Sequence, residues 1–373
     1  MWYNIFMLIK SVELRDFRNY SYEKFLFDAK TNILLGDNAQ GKTNLLESIY
    51  YSSIGKSFKT KNEKELIKNL SNSAKILINF EKNNGSNSIM IDFLNGEKYI
   101  KLNEINITKM SGLLGNLACV FFSPNELKLV KEAPEDRRKF LDIDISQLNK
   151  QYYLSLIKYN KILKERNKLL KSTENEQVIL ETLPIWDYQL VKSASEIILC
   201  RLEFIEKLNK FCSQEHSFLT CQKENLKVYY QSIDNFENKS QKEIEDVLLQ
   251  KLFENREKDL KLKYTTIGPH RDDLKILLND LDVKSFGSQG QQRTALLSIK
   301  LAELEIFKEV FNEYPILLLD DVFSELDEVR KNRLIERVKD IQTIITTTKF
   351  DLVNTDANII KIESGKIKLD KNK

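Results

Sequence analysis

The chain is poor in the residues that build metal sites and disulfide frameworks: 373 residues contain four Cys, two His and five Pro. Cys119, Cys200, Cys212 and Cys221 show no C-x-x-C spacing, and only His216 and His270 could join them, which argues against a zinc site. Free thiols in a reducing, cytoplasmic compartment are the expectation. Long apolar runs are missing too. Stretches such as residues 117–122 fall far short of the roughly 18 residues that span a bilayer, so no membrane partner is expected. Residues 2–9 lack a charged start and a small-residue cleavage site, so no secretory leader is expected, and Met7 is an alternative start. An excess of one charge is also lacking: 58 Lys and Arg face 55 Asp and Glu, a net +3. Nucleic-acid binding, if present, must come from where the charge sits. What is present is ordinary globular material, 42% hydrophobic and 30% charged, which excludes a disordered tail or a collagen-like chain.

The first 102 residues read as strands around one helix. Leu8, Val12 and Leu14 fit an alternating strand, and residues 31–35 form a second that ends at Gly36. Helical spacing follows at Leu45, Leu46, Ile49 and Tyr50. Residues 75–80, 88–94 and 98–102 read as short strands, with turns at Asn83-Asn84-Gly85 and Asn95-Gly96. From Leu148 the character becomes helical. Leu156, Leu163 and Leu170 lie seven apart along one face, in a segment with seven basic residues and the single acid Glu165 between Lys150 and Lys171. A polar gap and Pro184 separate it from a second helical pattern through Leu190, Ala194, Ile198, Leu202 and Leu208. An inserted antiparallel helix pair, too short for a long rod, is the expectation. Strand-rich α/β character returns from Ile316.

Three segments carry chemistry. Gly36-Asp37-Asn38-Ala39-Gln40-Gly41-Lys42-Thr43, followed by Asn44, matches G-x-x-x-x-G-K-[ST] between a strand and a helix. Its glycines let backbone N–H groups approach a phosphate, and the helix start adds its positive end. Lys42 would reach the β- and γ-phosphates of a nucleotide, and Thr43 would ligate Mg²⁺. Four aliphatics, residues 316–319, then place Asp320 at the carboxyl end of a buried strand, where open α/β sheets put their ligands. Asp320 would hold the metal and Asp321 would orient or deprotonate the attacking water. Third, Ser288-Gln289-Gly290-Gln291-Gln292 opens a helix. It reads either as a second anion site, used on another subunit's nucleotide, or as a plain Ser cap. His270 and Arg271 read as a packed corner rather than as catalysts. Arg137 and Arg138 read as either interface ion pairs or nucleotide sensors, and the basic helix as either a solvated face or a phosphate contact.

Together these segments resemble an α/β, ABC-type P-loop ATPase head with an inserted, largely helical second lobe. More narrowly, the chain resembles the RecF family of bacterial DNA replication and repair proteins. The resemblance rests on LRDFRNY (14–20), GDNAQGKTN (36–44), FSPNELKLVKEAPEDRRKFLD (122–142), GPHRDDL (268–274), GSQGQQR (287–293) and LLLDDVFSELD (317–327). It implies an ATPase lobe from residues 1–125 and 301–373 around a helical lobe at 126–300. It also implies an ATP-closed homodimer with Ser288, Gly290, Gln291 and Gln292 acting in trans and Asp327 in a dimer loop. The implied partners are double-stranded DNA, single-strand gap junctions, RecR and, indirectly, RecA. ATP and Mg²⁺ are the implied cofactors, with weak DNA-stimulated hydrolysis. Three departures stand out: Asp321 where transporter-type heads have Glu, no histidine after the strand ending Thr346-Thr347-Thr348, and Asn125 where the family more often has Glu. An SMC-type tether and a transporter ATPase subunit share the head motifs. The short arms argue against the first, and the FRNY and GPHRDD segments against the second.

Overall fold

A computed structural model describes residues 7–82, 85–172, 175–348 and 357–368. The chain divides into two compact units, Met1–Glu126 with Lys300–Lys373, and Leu127–Ile299.

The first unit carries two sheets. Strands β1 (Leu8–Phe17), β2 (Tyr20–Leu26), β4 (Ser73–Lys82), β5 (Gly85–Leu94), β6 (Glu97–Leu102) and β7 (Ile105–Ile107) form an antiparallel sheet in the order β2-β1-β4-β5-β6-β7. Buried and part-exposed residues alternate along β4, the pattern of a sheet with one face on a core. Asn95 and Gly96, at φ 53° and 80°, make the left-handed turn between β5 and β6. Asn83 and Asn84 of the other expected turn lie outside the described residues.

The second sheet adds β3 (Thr31–Leu35), β8 (Cys119–Phe122), β12 (Ile316–Asp320), β13 (Thr343–Thr347), β14 (Asn358–Glu363) and β15 (Lys366–Ile367) in the order β15-β14-β3-β13-β12-β8. All its pairings are parallel except β14 with β15. The aliphatic residues of β12 are buried, as a parallel strand covered on both faces requires. Helix α1 (Lys42–Ile54) follows β3, and α10 (Glu328–Val338) links β12 to β13.

The second unit is mostly helical: α2 (Lys128–Lys131), α3 (Pro134–Leu148), α4 (Lys150–Leu170), α5 (Glu176–Thr220), α6 (Gln241–Glu254), α7 (Arg256–Leu262) and α8 (Val283–Phe286). Strands β9 (Leu226–Gln231), β10 (Asp273–Leu278) and β11 (Leu281–Asp282) form a small antiparallel sheet. Helix α9 (Gln289–Phe311) starts in this unit and ends in the first. Helices α4 and α5 run antiparallel, because Tyr152 meets Arg201, Ser155 meets Glu196 and Arg166 meets Asp187. One expectation is corrected here. Pro184 does not precede the second long helix but lies inside it, eight residues after its start. A proline removes one N–H from the ladder. The Asn175 cap and burial of Ile179 and Leu183 with Leu170 and Leu260 hold the first turns in place despite it.

Candidate nucleotide-binding site

The loop between β3 and α1 is shaped by what surrounds it. At Gly36 a side chain would meet the Ile362 carbonyl oxygen at 2.3 Å, so only glycine lets β3 leave the sheet beside β14. Gly41 precedes α1 at φ 117°, a conformation that disfavours side chains, and a Cβ there would lie 2.7 Å from the Asn19 amide. No side chain caps α1 and no acid sits in its first turn, which leaves the helix's positive end for an anion.

The rest of FRNY braces the loop from behind. The Tyr20 hydroxyl donates to the Gly41 carbonyl at 2.9 Å, and Asn19 donates to the Gln40 carbonyl at 3.0 Å while accepting from Asn44 at 2.8 Å. Burial pushes the Tyr20 phenol well above its usual range, so it stays a neutral donor. Arg18 forks onto Glu47, a fully buried carboxylate on α1, at 2.7 and 2.9 Å. From the far end of the chain, Gly365 donates its N–H to the Gln40 carbonyl at 3.0 Å.

Inside the cleft, the Thr43 hydroxyl donates to Asp320 Oδ1 at 2.8 Å, and the Thr346 hydroxyl donates to the same oxygen at 2.8 Å. The parallel register of β12 and β13 sets Asp320 opposite Thr346. Asp321 sits at φ 53° with its N–H held by Thr346 Oγ1 at 2.9 Å. The Lys42 ammonium folds back onto the carbonyls of Gly36 and Asp37. Burial lowers its pKa, and Asp321, Asp320 and Asp37 oppose that fall. The cleft, of about 330 Å³, is lined by Asn38, Ala39, Gln40, Gly41, Lys42, Thr43, Asn44, Asp320 and Asp321 among the expected residues. Gly36 and Asp37 shape the loop without lining the cleft. Lys59, Ser123, Pro124, Asn125, Thr346 and Thr348 also line it. Lys59, which carries no motif, donates to Asn44 Oδ1 at 2.7 Å, and burial lowers its pKa against the pull of Glu47 and Asp320.

The other expected residues lie elsewhere. Asp327 caps α10 by accepting from the Arg330 N–H at 2.9 Å, which lowers its pKa. In the second unit, Ser288 and Gln291 cap each other: the Ser288 N–H donates to Gln291 Oε1 at 2.9 Å, and the Gln291 N–H donates to Ser288 Oγ at 3.3 Å. Gln292 is buried against the Val283 carbonyl, whereas Ser288 and Gly290 are exposed with open space at Gly290. A relay not expected from sequence holds this corner. Gln291 donates to Glu224 at 2.8 Å, Glu224 lies 3.3 Å from His216 Nε2, and His216 Nδ1 lies 2.8 Å from Ser298 on the same helix α9. Arg137 is forked onto Asp273 at 2.6 and 2.9 Å and Arg138 binds the Asp272 carbonyl at 2.8 Å, which gives both a partner within the second unit.

The GPHRDD corner is packed throughout. A carbonyl can only accept, so the 3.1 Å contact with Thr265 puts the His270 proton on Nε2, and Nδ1 accepts the Tyr159 hydroxyl at 2.6 Å. Burial drives the His270 pKa down to about 4 and that of Asp272 up to about 6.

A strand-loop-helix phosphate cradle facing an aspartate two strands away defines a P-loop ATPase head. The RecF/RecN/SMC N-terminal domain family matches residues 8–369. An Smc head domain from Pyrococcus furiosus shares the fold at a TM-score of 0.56 and 16% identity, over 97% of this chain and 95% of that one. The chain belongs, within this class, to the RecF family: it is 45% identical to the DNA replication and repair protein RecF of Clostridium tetani, over 96% of this chain and 99% of that protein. A solved structure of the recombination mediator protein RecF with ATP, from the RecFOR pathway, matches at a TM-score of 0.91 and 35% identity, covering 99% of both chains.

Proposed function

We propose that this chain is an ATP-switched, DNA-binding recombination mediator. ATP enters the cleft of one subunit and is completed by Ser288, Gly290 and Gln291 of a second, which closes a two-fold dimer, while Gln292, buried against the Val283 carbonyl, would hold that helix start in place. The closed dimer binds double-stranded DNA near single-strand gaps and, with RecR, helps load RecA in the cytoplasm. Slow, DNA-stimulated hydrolysis reopens it.

The observation that carries this reading is the Thr43–Asp320 hydrogen bond inside a cleft headed by an uncapped helix. A hydroxyl and a carboxylate are hard oxygen donors, few in number, which suits Mg²⁺ shared with a phosphate. The metal would neutralise phosphate charge. Residues 36–44 would wrap the phosphates, Lys42 turning from its own loop carbonyls to the nucleotide. Asp321 would orient the attacking water, and Asp327 would cap the helix that borders the dimer. The names of the relatives support the DNA and ATP assignments. Among the described residues no helix is long and apolar enough to cross a membrane.

The test is light scattering with duplex-DNA binding in three conditions: no nucleotide, ADP, and ATP with Mg²⁺. ATP should produce both a dimer and tighter DNA binding. Ser288→Arg should keep ATP binding and lose the dimer. A normal ATP-dependent dimer in that variant would sink the trans site.

A further inference from the structure

Helix α4 presents a lysine-rich face, with Leu154 and Ile157 as exposed apolar residues within it. Lys150, Lys158, Lys161, Lys164, Lys168 and Lys171 are all exposed, and none is ion-paired among the described residues. At 100° per residue they fall within an arc of about 140°, and they extend along about 31 Å of helix. The seventh basic residue of the segment, Arg166, points the other way and is fully buried. The one acid, Glu165, is half-buried at the margin.

What Arg166 does there ties a second basic segment to α4. Its guanidinium donates to Asp187 of α5 at 2.7 Å, to Asp259 of α7 at 2.7 Å and to Thr265 at 2.9 Å. Asn167 accepts from both the N–H and the hydroxyl of Thr265 at 2.7 Å. These bonds lock α7 and the segment after it to the C-terminal half of α4. That segment is also basic and exposed, through Lys258, Lys261, Lys263 and Arg271, with Glu257 as its exposed acid. Arg271 is held over the Tyr264 ring, 4.6 Å from its centroid. A buried ion network is a costly way to gain stability, since desolvation consumes most of the attraction. It is an effective way to fix two elements in one register.

We propose that this face, α4 with the α7 segment, is the surface on which the second unit receives the phosphate backbone of duplex DNA. The proposal rests on the DNA-binding reading above and gives it a place. The occupant is chosen by charge. Ten cationic side chains with one exposed acid among them suit a partner whose charge is dense, continuous and of one sign. A duplex offers one phosphate about every 1.7 Å, and α4 is about as long as one duplex turn. Lysines on flexible stems make point contacts without reading bases, so binding here is independent of sequence.

The experiment compares wild type with two triple variants, K161Q/K164Q/K168Q and K258Q/K261Q/K263Q, all at exposed positions that leave the Arg166 network intact. Affinity for a fluorescent duplex of about 30 base pairs is measured with ATP and Mg²⁺ across about 50 to 200 mM salt, on two unrelated sequences. Each triple should bind both duplexes at least tenfold more weakly and lower the salt slope by about two to three, with the ATP-dependent dimer mass unchanged. Wild-type affinity and slope in either variant would overturn the proposal. Loss of the dimer in either would also overturn it, by making the face a contact between copies. Wild-type protein without ATP-dependent DNA affinity would instead refute the reading on which the proposal rests.

Discussion

Removing Arg166 tests whether the charged core of the second unit is held by its ions or only by its packing. Arg166→Met keeps the length and apolar stem of the side chain but deletes the guanidinium. Asp259, fully buried, would keep only its bonds from the Thr266 N–H and hydroxyl, at 2.9 and 2.7 Å. Asp187 would keep only Arg256, at 3.1 Å. Stranding a buried charge by removing its partner costs about 3–5 kcal/mol. With a urea slope of about 2 kcal/mol per molar, the midpoint should fall by about 2 M. Trp186, adjacent to Asp187, is a local reporter, and Trp2→Phe makes it the chain's only tryptophan. The triple variant Arg166→Met, Asp187→Asn, Asp259→Asn should recover most of the loss, because the one charge left of the set, Arg256, is part-exposed and keeps the Phe253 ring. A midpoint shift below about 0.5 M in the single variant would refute the assignment of the loss to charge. So would a triple variant no better than the single one.

Three further outcomes follow from the same geometry. His270 titrates at about 4 when folded, below its unfolded value of 6.5, so the unfolded chain takes up the proton first and stability is lost as pH falls from 6.5 towards 4. Asp272, raised from 3.8 to about 6, acts the other way: its folded form takes up the proton first, and stability is gained as pH falls through 6. His270→Asn should therefore lose about 2 kcal/mol less than wild type between pH 7 and pH 5, read from urea midpoints at each pH; equal losses would contradict the burial argument. Tyr20→Phe removes the donor to the Gly41 carbonyl and should weaken fluorescent-ATP binding about fivefold, as a neutral hydrogen bond of about 1 kcal/mol implies, while the midpoint moves little. Glu224→Ala cuts the relay to Gln291 and should lower ATP-dependent dimerisation without changing ATP affinity; an equal loss of both would assign Glu224 to the fold alone.

What could be seen in the sequence was whatever lies close together along it. The glycine loop, Lys42 and Thr43 are contiguous, and the β12 aliphatics announce Asp320, so the two halves of the cleft were visible even though 277 residues separate Thr43 from Asp320. The braces were not visible. Asn19, Tyr20 and Gly365 act through backbone carbonyls of the loop, and no residue pattern announces a bond to a carbonyl. Lys59 was hidden for a related reason, since only the fold brings its segment back over Asn44. Pro184 misled because a proline usually marks a helix boundary, and only the buried contacts of Ile179 and Leu183 explain why the turns before it persist. The seven basic residues between Lys150 and Lys171 looked alike in sequence, yet the structure turns six outward and buries Arg166 among carboxylates.

The distribution of the braces has a consequence for assembly. The phosphate loop is held by Asn19 and Tyr20 from one side and by Gly365 from the other, and Thr43 meets an aspartate that Thr346 fixes. Three parallel pairings, β3 with β13, β3 with β14 and β12 with β13, bring the loop, Asp320, Thr346 and the turn of Gly365 together, whereas Asn19 and Tyr20 reach the loop from the antiparallel sheet. Before β12, β13 and β14 are in place, the loop has its glycines, its helix start and the Asn19 and Tyr20 braces, but neither Asp320 nor the Gly365 brace. A chain cut between α9 and β12 therefore retains every residue of the G-x-x-x-x-G-K-[ST] motif and should bind no nucleotide. Restoring residues 312–373 as a separate chain should bring binding back, because what the motif lacks is its neighbours in the sheet. Binding by the cut chain alone, measured with fluorescent ATP, would show that the loop needs no such support.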